Sequence, residues 1–337
     1  MPGKRPLDFP GDDGADPRLG RAVRLPPRLA SSCKGWSDAR LRLVYYSLLP
    51  VARTPRSAAR LQPNVENTAT MLRAEINGLS VAYRRVGHGP AIVMLHGFTQ
   101  DSRVWRPQLD ALSDRFTLIA WDAPGAGQSS DPAADFAIGR WADTLAGLLD
   151  AAGIPRAHVL GLSWGGLLAQ EFYRKYPARV SSLILADTYA GWKGSLSDAI
   201  AQERLAACVR DSALPPSDFI PRYLPGMFSD APPPGVKEEL AEIMAGTHPL
   251  GFRVMAKALA ENDTRDLLTT ILVPTLLVWG EADKRSPMNI AHQLEQAISG
   301  AKLAVIPGAG HVSNMEAPAA FNSIVREFCL ANEHEAG

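Results

Sequence analysis

Short, mostly apolar runs recur along the chain, and stretches with helical spacing separate them. Ala91 to Leu95 is fully apolar, Ala157 to Leu162 is apolar apart from His158, and both are shorter than a typical helix. Continuous apolar runs indicate strands that are buried on both faces, as in parallel sheets. The alternation therefore predicts an α/β fold with a parallel sheet between two layers of helices. The same pattern places further strands at Leu79 to Val86, Phe116 to Trp121, Val180 to Ala186, Pro274 to Trp279 and Ala301 to Ile306, and helices at Ser102 to Ser113 and Trp141 to Ala152.

Two segments lack this alternation. Residues 1–70 hold nine prolines, twelve basic and six acidic residues, and little periodic apolar pattern, which predicts a disordered extension. An arm that binds a partner or a membrane surface, and a true start of the protein at Met71, are the alternatives. Residues 189–268 place prolines between helix-like pieces, as expected of a lid inserted between two strands. We therefore predict a catalytic core of residues 71–188 and 269–332 and a helical cap of residues 189–268.

Composition narrows the class of protein. Hydrophobic residues make up 46% of the chain and charged residues 21%, as in ordinary globular proteins. The formal net charge is +0, so no basic excess indicates a nucleic-acid partner, and a small molecule is the expected ligand. No apolar run is long enough to span a membrane. Nothing in the sequence indicates an oligomeric state.

Three cysteines, Cys33, Cys208 and Cys329, lie far apart in the sequence. They form neither a C-x-x-C pair nor another spacing of metal ligands. Unpaired thiols are typical of a reducing compartment, so we predict a cytoplasmic protein.

Gly161-Leu162-Ser163-Trp164-Gly165 matches G-x-S-x-G. The pentapeptide follows a predicted strand and precedes a helix-like stretch, which is the setting of a nucleophile elbow. Such a turn forces the serine into strained backbone angles, so small residues are needed two positions before and after it. Gly161 and Gly165 stand at those positions. Ser163 is therefore the predicted nucleophile.

A serine hydroxyl needs a base to remove its proton, and the base needs a carboxylate that orients it. His311 follows the last predicted strand, at the sheet edge where α/β proteins place catalytic groups. Asp283 follows the preceding strand and gives the chain order Ser, Asp, His that is expected for this fold. Asp187 and Glu281 are the alternative acids.

Attack on a carbonyl creates an oxyanion that needs hydrogen-bond donors. We predict that the backbone N–H groups of Trp164 and Phe98 donate, because one follows the nucleophile and the other lies in the loop after Ala91 to Leu95. His96, in the same loop, is predicted to be a packing residue. Since protein groups supply every role, neither a metal nor an organic cofactor is expected.

These motifs together resemble the α/β-hydrolase superfamily, and the resemblance covers residues 72 to 331. Beyond the elbow it rests on His96-Gly97-Phe98, on the turn Asp122 to Ser129, on the acid loop Gly280 to Pro287, and on Gly308 to Pro318 around the base. The turn at Asp122 is structural in relatives. The resemblance implies a mostly parallel eight-stranded sheet with helices on both faces and a helical cap after the sixth strand.

Within the superfamily, the chain looks similar to 3-oxoadipate enol-lactonases and small-ester hydrolases. Ser163 to Gln170 also resembles intracellular polyhydroxyalkanoate depolymerases. Serine at the elbow argues against haloalkane dehalogenases and epoxide hydrolases, which use aspartate there. The resemblance implies a serine hydrolase that cleaves carboxylic esters or lactones through an acyl-enzyme.

Two alternative functions stay open. One is hydrolysis of a carbon–carbon bond in a vinylogous keto acid, and the other is a slow-turnover signalling protein that binds a ligand. The first needs a cation for the substrate's carboxylate, and long cations on a lid are usually solvated. Cations of the predicted cap that could serve are Lys193, Arg204, Arg222, Arg253 and Lys257.

Overall fold

The structure is a computed structural model that describes residues 70–333. The predicted disorder of residues 1–70, except for residue 70 itself, and the state of Cys33 therefore concern residues outside the described part. Within it, eight strands form one sheet in the order β1-β2-β4-β3-β5-β6-β7-β8. The pairs β1–β2 and β2–β4 are antiparallel and all the others are parallel. This confirms the predicted fold class.

The described residues contain twelve α-helices besides the strands. The strands are β1 (Met71–Ile76), β2 (Leu79–Val86), β3 (Ala91–Leu95), β4 (Thr117–Trp121), β5 (Ala157–Leu162), β6 (Val180–Ala186), β7 (Thr275–Gly280) and β8 (Lys302–Ile306). The helices are α1 (Arg106–Leu112), α2 (Ile138–Ala151), α3 (Trp164–Lys175), α4 (Trp192–Ser195), α5 (Asp198–Asp211), α6 (Pro216–Tyr223), α7 (Val236–Met244), α8 (Pro249–Glu261), α9 (Arg265–Leu268), α10 (Met288–Ala297), α11 (Ser313–Glu316) and α12 (Pro318–Ala331).

Burial along the strands follows their place in the sheet. Every residue of β3, β4, β5 and β7 is buried, as continuous apolar runs require. The outermost strand β8 is half-exposed, and Val305 lies at the surface. Its apolar sequence therefore indicated a strand correctly but overstated its burial.

The predicted helix Ser102 to Ser113 is two helices. A 3₁₀ helix covers Ser102–Trp105, and α1 begins at Arg106. Pro107 lies in the first turn of α1, where its missing N–H has no hydrogen-bond partner to lose. The proline therefore marks the start of the second helix.

Helices α4 to α9 fill the chain between β6 and β7, and we call residues 189–268 the helical segment. Hydrogen bonds join it to loops at the carboxyl ends of the strands. The Thr247 hydroxyl donates to the carbonyl of Thr99 at 3.0 Å, and the backbone N–H of Val312 donates to the carbonyl of Met227 at 3.0 Å. The segment therefore contacts the edge of the sheet where the predicted site residues lie.

Cys208 and Cys329 are buried free thiols. Burial raises the pKa of the Cys208 thiol to about 11, so this thiol is neutral at ordinary pH. Among residues 70–333, no helix combines the length and the apolar character that crossing a membrane requires.

His158 on β5 makes stability depend on pH. Its side chain is buried against the Ser182 hydroxyl, at 2.7 Å from Nδ1, and burial together with Arg156 lowers its pKa to about 4. The unfolded chain takes up this proton below about pH 6.5. The contribution of His158 to the free energy of unfolding is therefore fully present above pH 6.5. It falls by roughly 3 kcal/mol as the pH drops to about 4.

We expect urea unfolding at pH 7, 5.5 and 4.5 to show this loss in the unaltered protein and a smaller loss in His158→Gln, which has no proton to take up. Other groups, including buried His96, titrate in both proteins and cancel in the comparison. Parallel stability curves for the two proteins would contradict the assignment to His158.

Candidate active site

Ser163 lies in the sharp turn between β5 and α3. Its backbone angles are φ 53° and ψ −114°, a strained conformation for a residue with a side chain. A Cβ on Gly161 would lie 2.2 Å from the carbonyl oxygen of Gly165, and a Cβ on Gly165 would lie 2.1 Å from that of Leu95. Only glycine fits at either position. The tight turn places Ser163 at the carboxyl end of the central strands.

Ser163, His311 and Asp283 form one chain of hydrogen bonds. Ser163 Oγ lies 2.9 Å from His311 Nε2, and His311 Nδ1 lies 2.8 Å from Asp283 Oδ2. The other oxygen of Asp283 accepts the backbone N–H groups of Arg285 and Ser286 at 2.8 and 2.9 Å. All three side chains are buried. The structure thus brings the three predicted residues together from three separate loops.

The loop that carries His311 is fixed by a buried carboxylate. Glu316 accepts the backbone N–H of Gly310 at 2.8 Å and that of Ser229 at 3.1 Å. One carboxylate therefore holds both the histidine loop and the helical segment. Glu316, which lies five residues after His311 in the stretch from Gly308 to Pro318, therefore has a structural role.

The two alternative acids are placed differently. Asp187 is fully buried, accepts the N–H of Gly280 at 2.8 Å and the hydroxyl of Ser313 at 2.5 Å, and makes no hydrogen bond to His311. Burial raises its pKa well above the ordinary value, and the charge of Asp283 adds to this. Glu281 is exposed and accepts the N–H of Gly308 at 3.0 Å. The geometry therefore favours Asp283 as the partner of His311.

The backbone N–H groups of Phe98 and Trp164 donate to no partner among residues 70–333, so both are free to donate to a ligand. Gln100 Oε1 accepts the N–H of Gly97 at 3.0 Å and stabilises the loop. His96 Nε2 accepts the N–H of Ala123 at 3.0 Å, and burial lowers the pKa of this imidazole. His96 accordingly packs and orders the loop, which is the role expected for it.

Asp122 organises the turn that follows β4. Its carboxylate accepts the N–H groups of Ser102 and Gln128, both at 2.8 Å. It contacts neither Ser163 nor His311 in the described residues. This is the structural role that the sequence predicts.

A cavity of about 30 Å³ lies between Ser163, His311 and the helical segment. Pockets for small organic ligands usually measure about 300 to 1,000 Å³, so an ester or lactone does not fit without movement. The sequence did not indicate three polar residues of its lining: Gln100, Tyr189 and Arg285. The sequence feature that could have identified Arg285 is its position two residues after Asp283, in the same acid loop.

A larger cavity, of about 440 Å³, lies near Lys193, Gln293 and Ala297 and includes neither Ser163 nor His311. Its size alone would favour it as a ligand site, but its lining contains no histidine, cysteine or acidic side chain that could activate the Ser195 hydroxyl. Among residues 70–333, no cluster of three or more histidine, cysteine or acidic side chains is arranged to hold a metal ion.

Comparison with known proteins identifies the family. Residues 92–324 match the alpha/beta hydrolase family. The chain belongs to this family. It is 30% identical over 239 residues to 3-oxoadipate enol-lactonase 2 of Acinetobacter baylyi, covering 70% of this chain and 87% of the relative.

Solved structures agree with this assignment. The structure resembles a thermophilic esterase from Thermogutta terrifontis, with a TM-score of 0.73 and 28% identity, over 79% of this chain and 100% of the esterase. It also resembles the enol-lactonase from Burkholderia xenovorans LB400, with a TM-score of 0.71 and 26% identity, over 77% of this chain and 100% of that enzyme.

The close approach at the elbow predicts a sharp difference between two helical glycines. We expect Gly165→Ala to lower the unfolding free energy by about 1–3 kcal/mol, because the new methyl group overlaps the Leu95 carbonyl. Gly139→Ala is the matched control, since the nearest atoms to its new Cβ lie 3.6 Å away. It should leave stability unchanged or raise it. Equal thermal melting temperatures for the two variants would show that the elbow relaxes freely.

Proposed function

We propose that this chain is a serine hydrolase that cleaves carboxylic esters or lactones through an acyl-enzyme. The observation that carries the proposal is the continuous chain of hydrogen bonds from Ser163 through His311 to Asp283. The relatives described above, an esterase and two enol-lactonases, support the ester or lactone bond as the target.

In the first step, His311 Nε2 takes the proton of Ser163 while Oγ attacks the substrate carbonyl. The carbonyl oxygen becomes an oxyanion and accepts the N–H groups of Phe98 and Trp164. When the tetrahedral intermediate collapses, the bond to the leaving oxygen breaks and His311 returns its proton to that oxygen. Asp283 keeps the proton of the neutral imidazole on Nδ1 and stabilises the imidazolium.

In the second step, His311 removes a proton from water, and the resulting nucleophile attacks the acyl carbon. Ser163 leaves and regains its proton from His311, and the acid product departs. No group other than the substrate and water is consumed, so the cycle closes with the protein unchanged.

The helical segment acts in this proposal as a cap. The 30 Å³ cavity beside Ser163 is too small for a substrate, so the segment shifts to admit one. Its return excludes water from the site, which strengthens the electrostatic interactions inside.

Removal of the nucleophile is the direct test. Ser163→Ala should remain folded, because it removes one hydroxyl group, and hydrolysis of short 4-nitrophenyl esters should fall by several orders of magnitude. A serine-directed phosphonate should label Ser163, as mapped by mass spectrometry. Near-normal turnover, or labelling of Ser286 or Ser313 instead, would disprove the assignment.

Assays with enol-lactones and vinylogous keto acids, added to the assay with 4-nitrophenyl esters, distinguish the two alternative functions from hydrolysis of esters. Cleavage of the keto acids alone would indicate a carbon–carbon bond hydrolase. Tight binding without turnover would indicate a ligand-binding protein.

Asp283 and Asp187, the predicted acid and its buried alternative, offer a matched pair of variants. Asp283→Asn keeps an oxygen for the N–H groups of Arg285 and Ser286 but favours the wrong tautomer of His311, so kcat should fall by about 10⁴. Burial already favours the neutral form of Asp187. Asp187→Asn puts a neutral group of the same shape in its place, so we expect kcat to fall by less than about tenfold.

Ester turnover and thermal melting of both variants check this prediction. A larger loss of kcat in Asp187→Asn than in Asp283→Asn, at unchanged stability, would move the orienting role to Asp187.

A further inference from the structure

Two arginines line the small cavity beside Ser163 and His311. Arg204 comes from α5 of the helical segment, and Arg285 comes from the loop that carries Asp283. The two arginines therefore come to the predicted reaction centre from two different segments of the chain.

Neither arginine has a carboxylate partner among residues 70–333. Arg204 Nη1 donates to the Tyr189 hydroxyl at 3.2 Å, and its guanidinium lies 5.7 Å from the centre of the Trp192 ring. Arg285 Nη2 donates to the backbone carbonyls of Tyr223 and Pro225. Its buried Nε has no hydrogen-bond partner in the same part of the chain. Both cations thus have only neutral partners.

The buried carboxylates that lie closest along the chain, Asp211 and Asp283, are already occupied. Asp211 accepts from Arg222 at 3.0 Å and from the Tyr223 hydroxyl at 3.1 Å. Asp283 binds His311 and two backbone N–H groups through its two oxygens. Of the other cap cations named from the sequence, Lys257 pairs with Glu261 at the surface. A counter-ion for Arg204 and Arg285 has to come from elsewhere.

Two unpaired like charges beside a small cavity are costly for the protein, where they are partly shielded from water. Burial lowers the pKa of Arg285, and the positive charge of Arg204 lowers it further against the opposing effect of Tyr189. Buried cations are normally paired, because a single anion offsets the desolvation of both partners. Guanidinium groups also match the two oxygens of a carboxylate in geometry.

We propose that Arg204 and Arg285 form a binding site for a substrate carboxylate, so that the preferred substrates are esters or lactones carrying a second, free carboxylate. This inference rests on the proposed function, since it assumes that the ester or lactone carbonyl lies at Ser163. The geometry leaves the carboxylate on either the acyl or the alcohol side of the scissile bond.

Two matched pairs of substrates differ by one negative charge. For the acyl side, 4-nitrophenyl hydrogen adipate is compared with methyl 4-nitrophenyl adipate. For the alcohol side, 4-acetoxybenzoate is compared with its methyl ester. With the enzyme-free rate subtracted, we expect the charged member of at least one pair to have a kcat/KM about 10- to 100-fold higher.

Arg204→Gln should abolish that preference, so that the ratio of kcat/KM for the charged member to kcat/KM for the neutral member falls to about one. Lys257→Gln is the control, because it removes one positive charge from the same segment outside the cavity. It should keep the preference. Arg285→Gln should act like Arg204→Gln on the charged substrate, and its melting curve shows whether the acid loop stays folded.

Binding provides a readout that does not need turnover. Calorimetry of Ser163→Ala should show binding of monomethyl adipate or 4-acetoxybenzoate, whereas Ser163→Ala/Arg204→Gln should bind neither. If neutral esters are cleaved through Ser163 but charge brings no preference and no binding, the carboxylate site is disproved while the proposed function stands. If no ester is cleaved yet Arg204-dependent binding persists, the proposed function fails and the anion site stands.

Discussion

The packing of Gly165 against the backbone of β3 fixes the geometry of the whole site. Its Cα faces the carbonyl of Leu95 so closely that no side chain fits, and Gly161 meets the carbonyl of Gly165 in the same way. The turn between β5 and α3 is held tight by this contact, and Ser163 takes a positive φ as a result. Close packing of the central strands therefore stabilises a strained serine, and every other group of the site is placed relative to it.

Asp283 and Asp187 are buried carboxyls that have different hydrogen-bond partners. Asp283 has a histidine and two backbone N–H groups around its oxygens. Asp187 is buried beside the charge of Asp283, with one N–H and one hydroxyl, and its pKa is raised. The neutral form of Asp187 that this favours avoids placing two like charges side by side in the core.

Much of this arrangement follows from local sequence. Buried parallel strands give short, mostly apolar runs, and the elbow needs its two glycines, so β5, Ser163 and the fold class could be predicted from residues close in sequence. The choice between Asp283 and Asp187 could not, since both follow apolar strands and only their spatial relation to His311 distinguishes them. Arg285 was missed for a related reason: its role depends on Arg204, 81 positions earlier in the chain, and on the absence of a carboxylate partner among the described residues. Such an absence has no sequence pattern.

The arginines also connect the helical segment to the predicted catalytic groups. The Tyr189 hydroxyl accepts from Arg204 and donates to the backbone carbonyl of Arg285, whose own N–H donates to Asp283. A shift of α5 that opens the 30 Å³ cavity therefore acts first on the bond between Arg204 and Tyr189. The bonds from Asp283 to His311 lie within the core loops and need not change. An incoming carboxylate that binds Arg204 would replace the lost bond with a stronger one, so binding energy from the non-reacting end of a substrate would favour closure over Ser163.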